Sequence, residues 1–393
     1  MRSINKNMNT ISLEQLIASG NQARADNNPD LALTYYMQAM CIDRNNPAAF
    51  NNWGNVLREA GEPEAAIPFL QRAIQLDPSN ATAQFNLAVA YLLNGDYEKG
   101  WTQYETRWNY EHLNGVLPKF SQPRWKGEDL NGKTIFVLSE QGHGDTIQFV
   151  RFTRDLAKMG AKVILHAEPN IVSLLKDDPT FDRFVLPTDA IPEHFDYWTP
   201  VMSLPGIMGI TLDNLPSLLK YLTPDPVKCR EWLTRLGPKN KLRIGFNWSG
   251  RRDTWINLHK SIPFEVILEL VRRTPEYEWY NLQIDCTPEE ALALQEAGAK
   301  IVSGDIHDFA DTAALIEAMD VVIGVDTAST HLAGAIGKPA WLLLNWFGTD
   351  WRWLLNRDDS PWYESVRIFR QPSMGDWHTP IAKVEKFLTW FKI

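Results

Sequence analysis

Between residues 12 and 110 the pattern of large and small side chains returns every 34 positions, the length of one helix–turn–helix unit. Phe50, Trp53, Gly54, Leu57, Gly61, Ala66, Leu70, Ala73 and Pro78 mark one unit. Leu16, Gly20, Ala23, Ala32, Tyr36 and Ala39 stand one period earlier, and Leu87, Ala88, Tyr91, Gly95 and Tyr104 one period later. Large residues pack between the paired helices, and small ones sit where the helices approach. A single pair cannot bury its apolar face alone, so three such units predict a short curved α-solenoid. Its concave groove suits a peptide or protein partner.

The repeat fades after Trp108, and a Pro/Trp-rich linker follows from Leu117 to Gly127. Beyond it the pattern turns β/α. Strands are expected at 134–138, 162–167, 183–186 and 195–198, with helices near 145–159 and 170–176. Pro224-Asp225-Pro226 has the composition of a hinge. A second half is expected to run strand 242–247, helix 264–273, strand 278–283, helix 288–297, strand 300–302, helix 311–319, strand 321–325, helix 328–336 and strand 340–344. An amphipathic helix from Thr379 to Ile393 closes it. Apolar strands alternating with helices mean parallel doubly wound sheets. The expected domains are therefore 1–118, helical; 119–225, the first α/β half; and 226–393, the second.

Each half has one junction where a buried-type strand runs through small residues into a helix. Ile135-Phe136-Val137-Leu138 leads into Gly142-His143-Gly144-Asp145, and Val321-Val322-Ile323 leads into Asp326-Thr327-Ala328-Ser329-Thr330-His331. Backbone N–H groups and the helix dipole make such junctions suitable for an anion, phosphate above all. Cations follow a third strand end, Asn247-Trp248-Ser249-Gly250: Arg251, Arg252, His259 and Lys260. Together with the junction at 326–331 they could hold a diphosphate without a metal.

Several chemistries lack their motifs. Gly142-x-Gly144 has no third glycine for a dinucleotide fingerprint, and no GxSxG elbow occurs. Gly127 to Thr134 has the GxxxxGK[ST] spacing but runs into the strand expected at 134–138, whereas a phosphate-binding loop leads from a strand into a helix. There is no Asp-x-Asp and no pair of histidines at metal-ligand spacing, so neither a metal nor a cofactor is expected. A net charge of −9 and a pI near 5.5 argue against nucleic acid as a main partner. Cys41, Cys229 and Cys286 are far apart and form no framework. The first residues lack the apolar core of a signal peptide, and no transmembrane segment is expected, which predicts a cytoplasmic protein or one peripheral at the inner membrane.

The repeats resemble tetratricopeptide repeats. Residues 133–371 resemble glycosyltransferases of the ADP-heptose:lipopolysaccharide heptosyltransferase type, family 9, with a GT-B fold. The resemblance lies in Glu140-Gln141-Gly142-His143-Gly144-Asp145-Thr146-Ile147-Gln148-Phe149, Trp248-Ser249-Gly250, Asp308-Phe309-Ala310-Asp311-Thr312-Ala313 and Val325-Asp326-Thr327-Ala328-Ser329-Thr330-His331-Leu332-Ala333, with the downstream Gly337-Lys338-Pro339. Further matches are Asp350-Trp351-Arg352-Trp353 and Ser360-Pro361-Trp362-Tyr363.

The fold it implies is a tetratricopeptide-repeat α-solenoid followed by a GT-B pair of Rossmann-like doubly wound domains. The activity it implies is inverting, metal-independent transfer of a sugar, heptose among the choices, from a nucleotide-diphosphate donor to a protein or glycan acceptor. By resemblance Asp145 is the catalytic base and Gly142, His143 and Gly144 its loop. The donor set is Ser249, Gly250, Lys260, Asp326, Thr327, Ala328, Ser329 and His331. Within the family the chain is most similar to a branch of bacterial proteins with N-terminal tetratricopeptide repeats, and it departs from that branch at His143, where an apolar residue is usual, and at 251–260.

Taken alone, Asp145 and Asp326 are N-cap candidates with Thr327 an equally good cap, His331 a packed core histidine, His143, His259 and Lys260 plain surface residues, and the tryptophans at 341, 346, 351, 353 and 362 mostly core. The alternative function is an inactive GT-B module serving as a repeat-bearing scaffold. An epimerase or dehydrogenase would need a better dinucleotide motif.

Overall fold

A computed structural model of the chain describes residues 11–110, 117–216, 219–250, 252 and 260–391. It divides into two compact units: the repeat region with Phe347–Leu355, and the α/β region, Pro118–Trp346 with Asn356–Ile393.

The repeat unit holds three helix pairs: α1 (Leu13–Ala25) with α2 (Pro29–Ile42), α3 (Pro47–Glu59) with α4 (Pro63–Leu76), and α5 (Ala81–Leu93) with α6 (Tyr97–Tyr104). Its start signals repeat as the side-chain sizes do. Ser12, Asn46 and Asn80 cap α1, α3 and α5, each accepting from the N–H three residues on. The glycines set the spacing within pairs. A methyl group on Gly20 would overlap the Tyr36 ring, and one on Gly54 would come 2.7 Å from Leu70 Cγ.

The segment Phe347–Leu355 belongs to this unit although it lies far along the chain. The Gly348 N–H donates to the Glu59 carbonyl at 2.7 Å. The Trp351 ring stands edge-on to Tyr97, Trp101 and Tyr104, with centroids 6.1, 5.3 and 6.4 Å away. These aromatic residues at the end of the repeats thus pack around a residue from beyond the second sheet's fifth strand.

The α/β unit begins with β1 (Thr134–Leu138), α7 (His143–Phe149), α8 (Thr153–Lys158), β2 (Lys162–His166), α9 (Pro169–Leu175), β3 (Phe181–Val185), β4 (Tyr197–Pro200) and α10 (Leu204–Ile207). It continues with α11 (Pro226–Leu236), β5 (Arg243–Phe246), α12 (Phe264–Arg273), β6 (Glu278–Asn281), α13 (Pro288–Glu296), β7 (Lys300–Ile301) and α14 (Phe309–Glu317). Next come β8 (Val321–Gly324), α15 (Ala328–Ala335), β9 (Ala340–Leu344), β10 (Val366–Arg370) and α16 (His378–Trp390). β5, β8 and β9 are buried along their whole length, as strands covered on both faces must be.

The sheets have orders β3-β2-β1-β4 and β10-β9-β8-β5-β6-β7, and these neighbouring strands pair in parallel. The expected fold class is therefore present: helical repeats, then two Rossmann-like parallel-sheet domains. Three local expectations change. Pro224-Asp225-Pro226 is a helix start, with Asp225 capping α11 and Pro226 in its first turn. The helix foreseen over 145–159 tightens to a 3-10 turn at Val150–Phe152 and resumes as α8. β10 was not foreseen.

Candidate functional site

Each sheet has one place where the strand order reverses, and ligands of parallel sheets bind beyond the carboxyl ends of the strands there. In the four-stranded sheet β2 and β4 flank β1, and in the six-stranded sheet β6 and β8 flank β5. The first crevice lies beyond β1 and β4. There the loop to α7 begins, and the Glu140 carboxylate accepts the Met202 N–H at 3.1 Å. The second lies beyond β5 and β8, at Trp248-Ser249-Gly250 and Val325-Asp326-Thr327. Both predicted junctions thus stand at a switch point.

At the first junction Gln141 has φ of 60°, a left-handed conformation uncommon for a residue with a side chain. Gly142 caps α7, and its N–H donates to Asp145 Oδ2 at 2.8 Å. Asp145 therefore stands at the third helical position and not at the N-cap foreseen by its bland reading, and its carboxylate accepts the N–H of the N-cap residue. His143 packs its ring edge-on to Phe309, the first residue of α14, with centroids 5.1 Å apart. Gly144 faces protein: a methyl on it would come 3.0 Å from His331 Cδ2 and 3.5 Å from the Ala328 Cα. Its missing side chain brings the first turns of α7 and α15 together, which accounts for this glycine without a ligand.

The second junction is held from behind by Asn247. Its Oδ1 accepts the Val325 N–H at 3.1 Å, and its amide covers Gly324 so closely that a Cβ there would lie 2.7 Å from Asn247 Cγ. The Thr330 hydroxyl donates back to the Val325 carbonyl at 2.8 Å. Thr327 occupies the N-cap position of α15, yet its hydroxyl makes no cap bond. Among the described residues, Thr327 Oγ1 and Asn247 Nδ2 are buried polar atoms with no hydrogen-bond partner. Asn247 is only 3% exposed. Buried orphans of this kind cost about 1–3 kcal/mol each and call for an explanation. Ala328 and Ser329 open the helix, half-buried, where backbone N–H groups have no intrahelical acceptor.

Asp326 and His331 are buried side by side, with His331 Nε2 3.3 Å from Asp326 Oδ1. Lys260 Nζ lies 3.8 Å from the other carboxylate oxygen. The other face of the imidazole meets Tyr363, whose hydroxyl is 2.8 Å from Nδ1.

At the end of β5, the Trp248 and Ser249 N–H groups both donate to Gln283 Oε1, at 3.2 and 3.1 Å. The Ser249 hydroxyl donates to the Gly250 carbonyl at 2.8 Å and receives one from Ser261 at 3.0 Å. Of the four cations expected after this strand, Arg251 and His259 lie outside the described residues. Arg252 forms a two-pronged bond with Glu290 at 3.0 and 2.9 Å, and Lys260 reaches Asp326.

The motif at 308–313 holds the fold. Asp308 caps α14, and Asp311 takes Lys228 Nζ at 2.6 Å. Burial alone would raise the Asp311 pKa, but Lys228 and the His307 N–H outweigh it and hold it below the usual value.

Gln283 and Arg151 were not singled out from the sequence, and Asn247 and Tyr363 stood in the stretches 247–250 and 360–363 without an assigned role. Buried Arg151 donates to the Trp362 carbonyl at 2.7 Å and the Tyr221 hydroxyl at 3.1 Å, with its guanidinium over the Tyr221 and Tyr363 rings. Only the polar type of Asn247 at an apolar strand end hinted at its role. Among the described residues no group of His, Cys, Asp or Glu is placed to hold a metal ion, and no helix is long and apolar enough to cross a membrane.

Fold and site together define a helical-repeat unit joined to two Rossmann-like domains whose junction helices meet at their first turns. Residues 54–95 match the TPR repeat family. The chain is 29% identical over 390 residues to Protein FlbA of Caulobacter vibrioides, covering 92% of this chain and 64% of that relative's length. Among solved structures it is similar to ADP-heptose lps heptosyltransferase II of E. coli, with TM-score 0.49 and 14% identity, covering 65% of this chain and 99% of that one. It is also similar to a glycosyl transferase of family 9 from Veillonella parvula, with TM-score 0.47 and 12% identity, covering 68% and 92%.

Proposed function

We propose that the chain is an inverting, metal-independent glycosyltransferase that moves a sugar from a nucleotide-diphosphate donor to an acceptor hydroxyl. The observation that carries this reading is the Thr327 hydroxyl: buried, at a helix N-cap, beside the Asp326–Lys260 pair, and bonded to no described residue. An oxyanion of a diphosphate would accept from that hydroxyl and from the N–H groups of Ala328 and Ser329. The helix dipole and Lys260 then stabilise the charge that grows on the leaving diphosphate. Lys260 is free to swing, since a 3.8 Å pair with Asp326 holds it loosely. Ser249 and Gly250, at the β5 exit, border the same crevice.

Asp145 supports the other half of the chemistry. Its Oδ2 accepts from Gly142, which orients the carboxylate at the start of α7. As general base it takes the proton of the acceptor hydroxyl while that oxygen attacks the anomeric carbon opposite the leaving group. The sugar class, heptose included, and the nucleotide belong to this proposal. So do a cytoplasmic location and recruitment of a protein acceptor or partner by the repeats, which the repeat match supports in kind. The test is a panel of nucleotide sugars incubated with the full chain, with and without EDTA. Slow hydrolysis of one donor, unchanged by chelation and lost in Asp145→Asn, is the expected result. No hydrolysis and no transfer with any donor would favour the scaffold reading.

A further inference from the structure

We infer that Tyr363 is a positioning residue for the donor site, acting through His331, whose ring it holds with Nε2 facing Asp326. The inference rests on the reading that the start of α15 receives the diphosphate.

The tautomer follows from who can donate. Asp326 as a carboxylate can only accept, so the ring nitrogen beside it, Nε2, must carry the hydrogen. In the neutral imidazole Nδ1 is then a lone pair, and the group 2.8 Å away, the Tyr363 hydroxyl, donates to it. Were the tautomer reversed, a lone pair would face the carboxylate and the two would repel. Asp326 thus sets which nitrogen holds the proton, and the Tyr363 hydroxyl fixes the ring from the opposite nitrogen, and with it how firmly Asp326 is held at the turn before Thr327.

The phenol is itself held on both faces. Gly334 lets the ring lie on α15, since a methyl there would come 2.6 Å from Tyr363 Cγ. The Arg151 guanidinium lies 4.8 Å from the ring centroid and is fixed by the Trp362 carbonyl. Tyr363 is fully buried. A residue there for bulk alone would need no hydroxyl placed on the imidazole, and phenylalanine would fill the same space.

The test is Tyr363→Phe in the full chain, with ring nitrogens observed by histidine-selective 15N labelling and the His331 signals assigned by their loss in His331→Gln. Wild type should show Nε2 protonated and Nδ1 bare. Tyr363→Phe should keep Nε2 protonated, shift the His331 Nδ1 signal as its donor is lost, and weaken binding of the best of ADP, GDP, UDP, CDP and dTDP about tenfold. Unchanged His331 ring signals in the variant would overturn the inference, even if its melting temperature fell. The nitrogen signals need no ligand, so wild type failing to bind any diphosphate would defeat the donor reading while leaving this one decidable. Should Tyr363→Phe not fold, Gly334→Ala displaces the phenol instead, and the same Nδ1 shift is expected; its absence counts against the inference equally.

Discussion

The bare α-carbon of Gly144 lies against the imidazole of His331, so the helix bearing the candidate base touches the helix bearing the candidate donor site. The assigned donor groups, Lys260, Asp326, Thr327 and His331, follow β5 or β8, whereas Asp145 follows β1. A side chain added at this seam should separate the two sets without removing either. Gly144→Val is expected to lower turnover at least about tenfold while diphosphate affinity stays within about threefold, since misplacement near 1 Å can cost a hundredfold. Steady-state kinetics and titration check this; equal losses in both would mean that α7 itself binds donor.

Asp145→Asn keeps an oxygen to accept the Gly142 N–H, so the cap and the fold should survive. Turnover should fall at least about a hundredfold, the scale of losing a general base. Donor affinity should hardly change. Turnover near wild type would remove Asp145 from the mechanism.

Asp311 ties α14 to Lys228, and its pKa is depressed in the folded state. A depressed carboxylate contributes stability above its unfolded pKa, near 3.9, and loses it as the pH falls through the folded value. Asp311→Asn should therefore cost about 1–3 kcal/mol at pH 7. The gap to wild type should narrow below about pH 4. Denaturant melts at both pH values measure it, and a gap independent of pH would deny the ion pair its role.

Much of this architecture was legible because its signals are local. α12 and β9 have the expected bounds, since a run such as Ala340-Trp341-Leu342-Leu343-Leu344 has few alternatives. The three helix pairs follow from one period. Pro224-Asp225-Pro226 misled because Asp followed by Pro marks a helix cap and first turn as readily as a loop. β10 was missed because Val366-Arg367-Ile368-Phe369-Arg370 is a charged edge strand whose identity depends on pairing with β9. The site divides the same way. Asp145, Asp326 and Thr327 lie in contiguous motifs, but Asn247, Tyr363 and Arg151 act across 78, 32 and as many as 211 residues, contacts that no local pattern carries.

Trp351 supplies the fourth ring of a cluster with Tyr97, Trp101 and Tyr104, and it is buried. Trp351→Ala should destabilise the repeat unit by about 3–5 kcal/mol. Deleting residues 1–117 should leave this tryptophan without those partners and make the remainder prone to association. Donor binding by that fragment should stay within about tenfold of the full chain, a coupling near 1.4 kcal/mol. Calorimetry of the substitution and titration of the fragment test both parts. A folded fragment that binds no donor would place the repeats within the donor site.

The central claim is that the start of α15 receives a diphosphate, and the most direct measurement is calorimetric titration of nucleoside diphosphates into wild type and Thr327→Val. Valine keeps the shape and removes the orphaned hydroxyl. Wild type should bind one nucleotide class, and Thr327→Val should bind it at least about tenfold more weakly, as loss of a hydrogen bond to a charged group requires. The variant should melt no lower than wild type, because the hydroxyl makes no bond within the described protein. Equal affinity in the two proteins, or no binding of any nucleoside diphosphate to wild type, would contradict the claim.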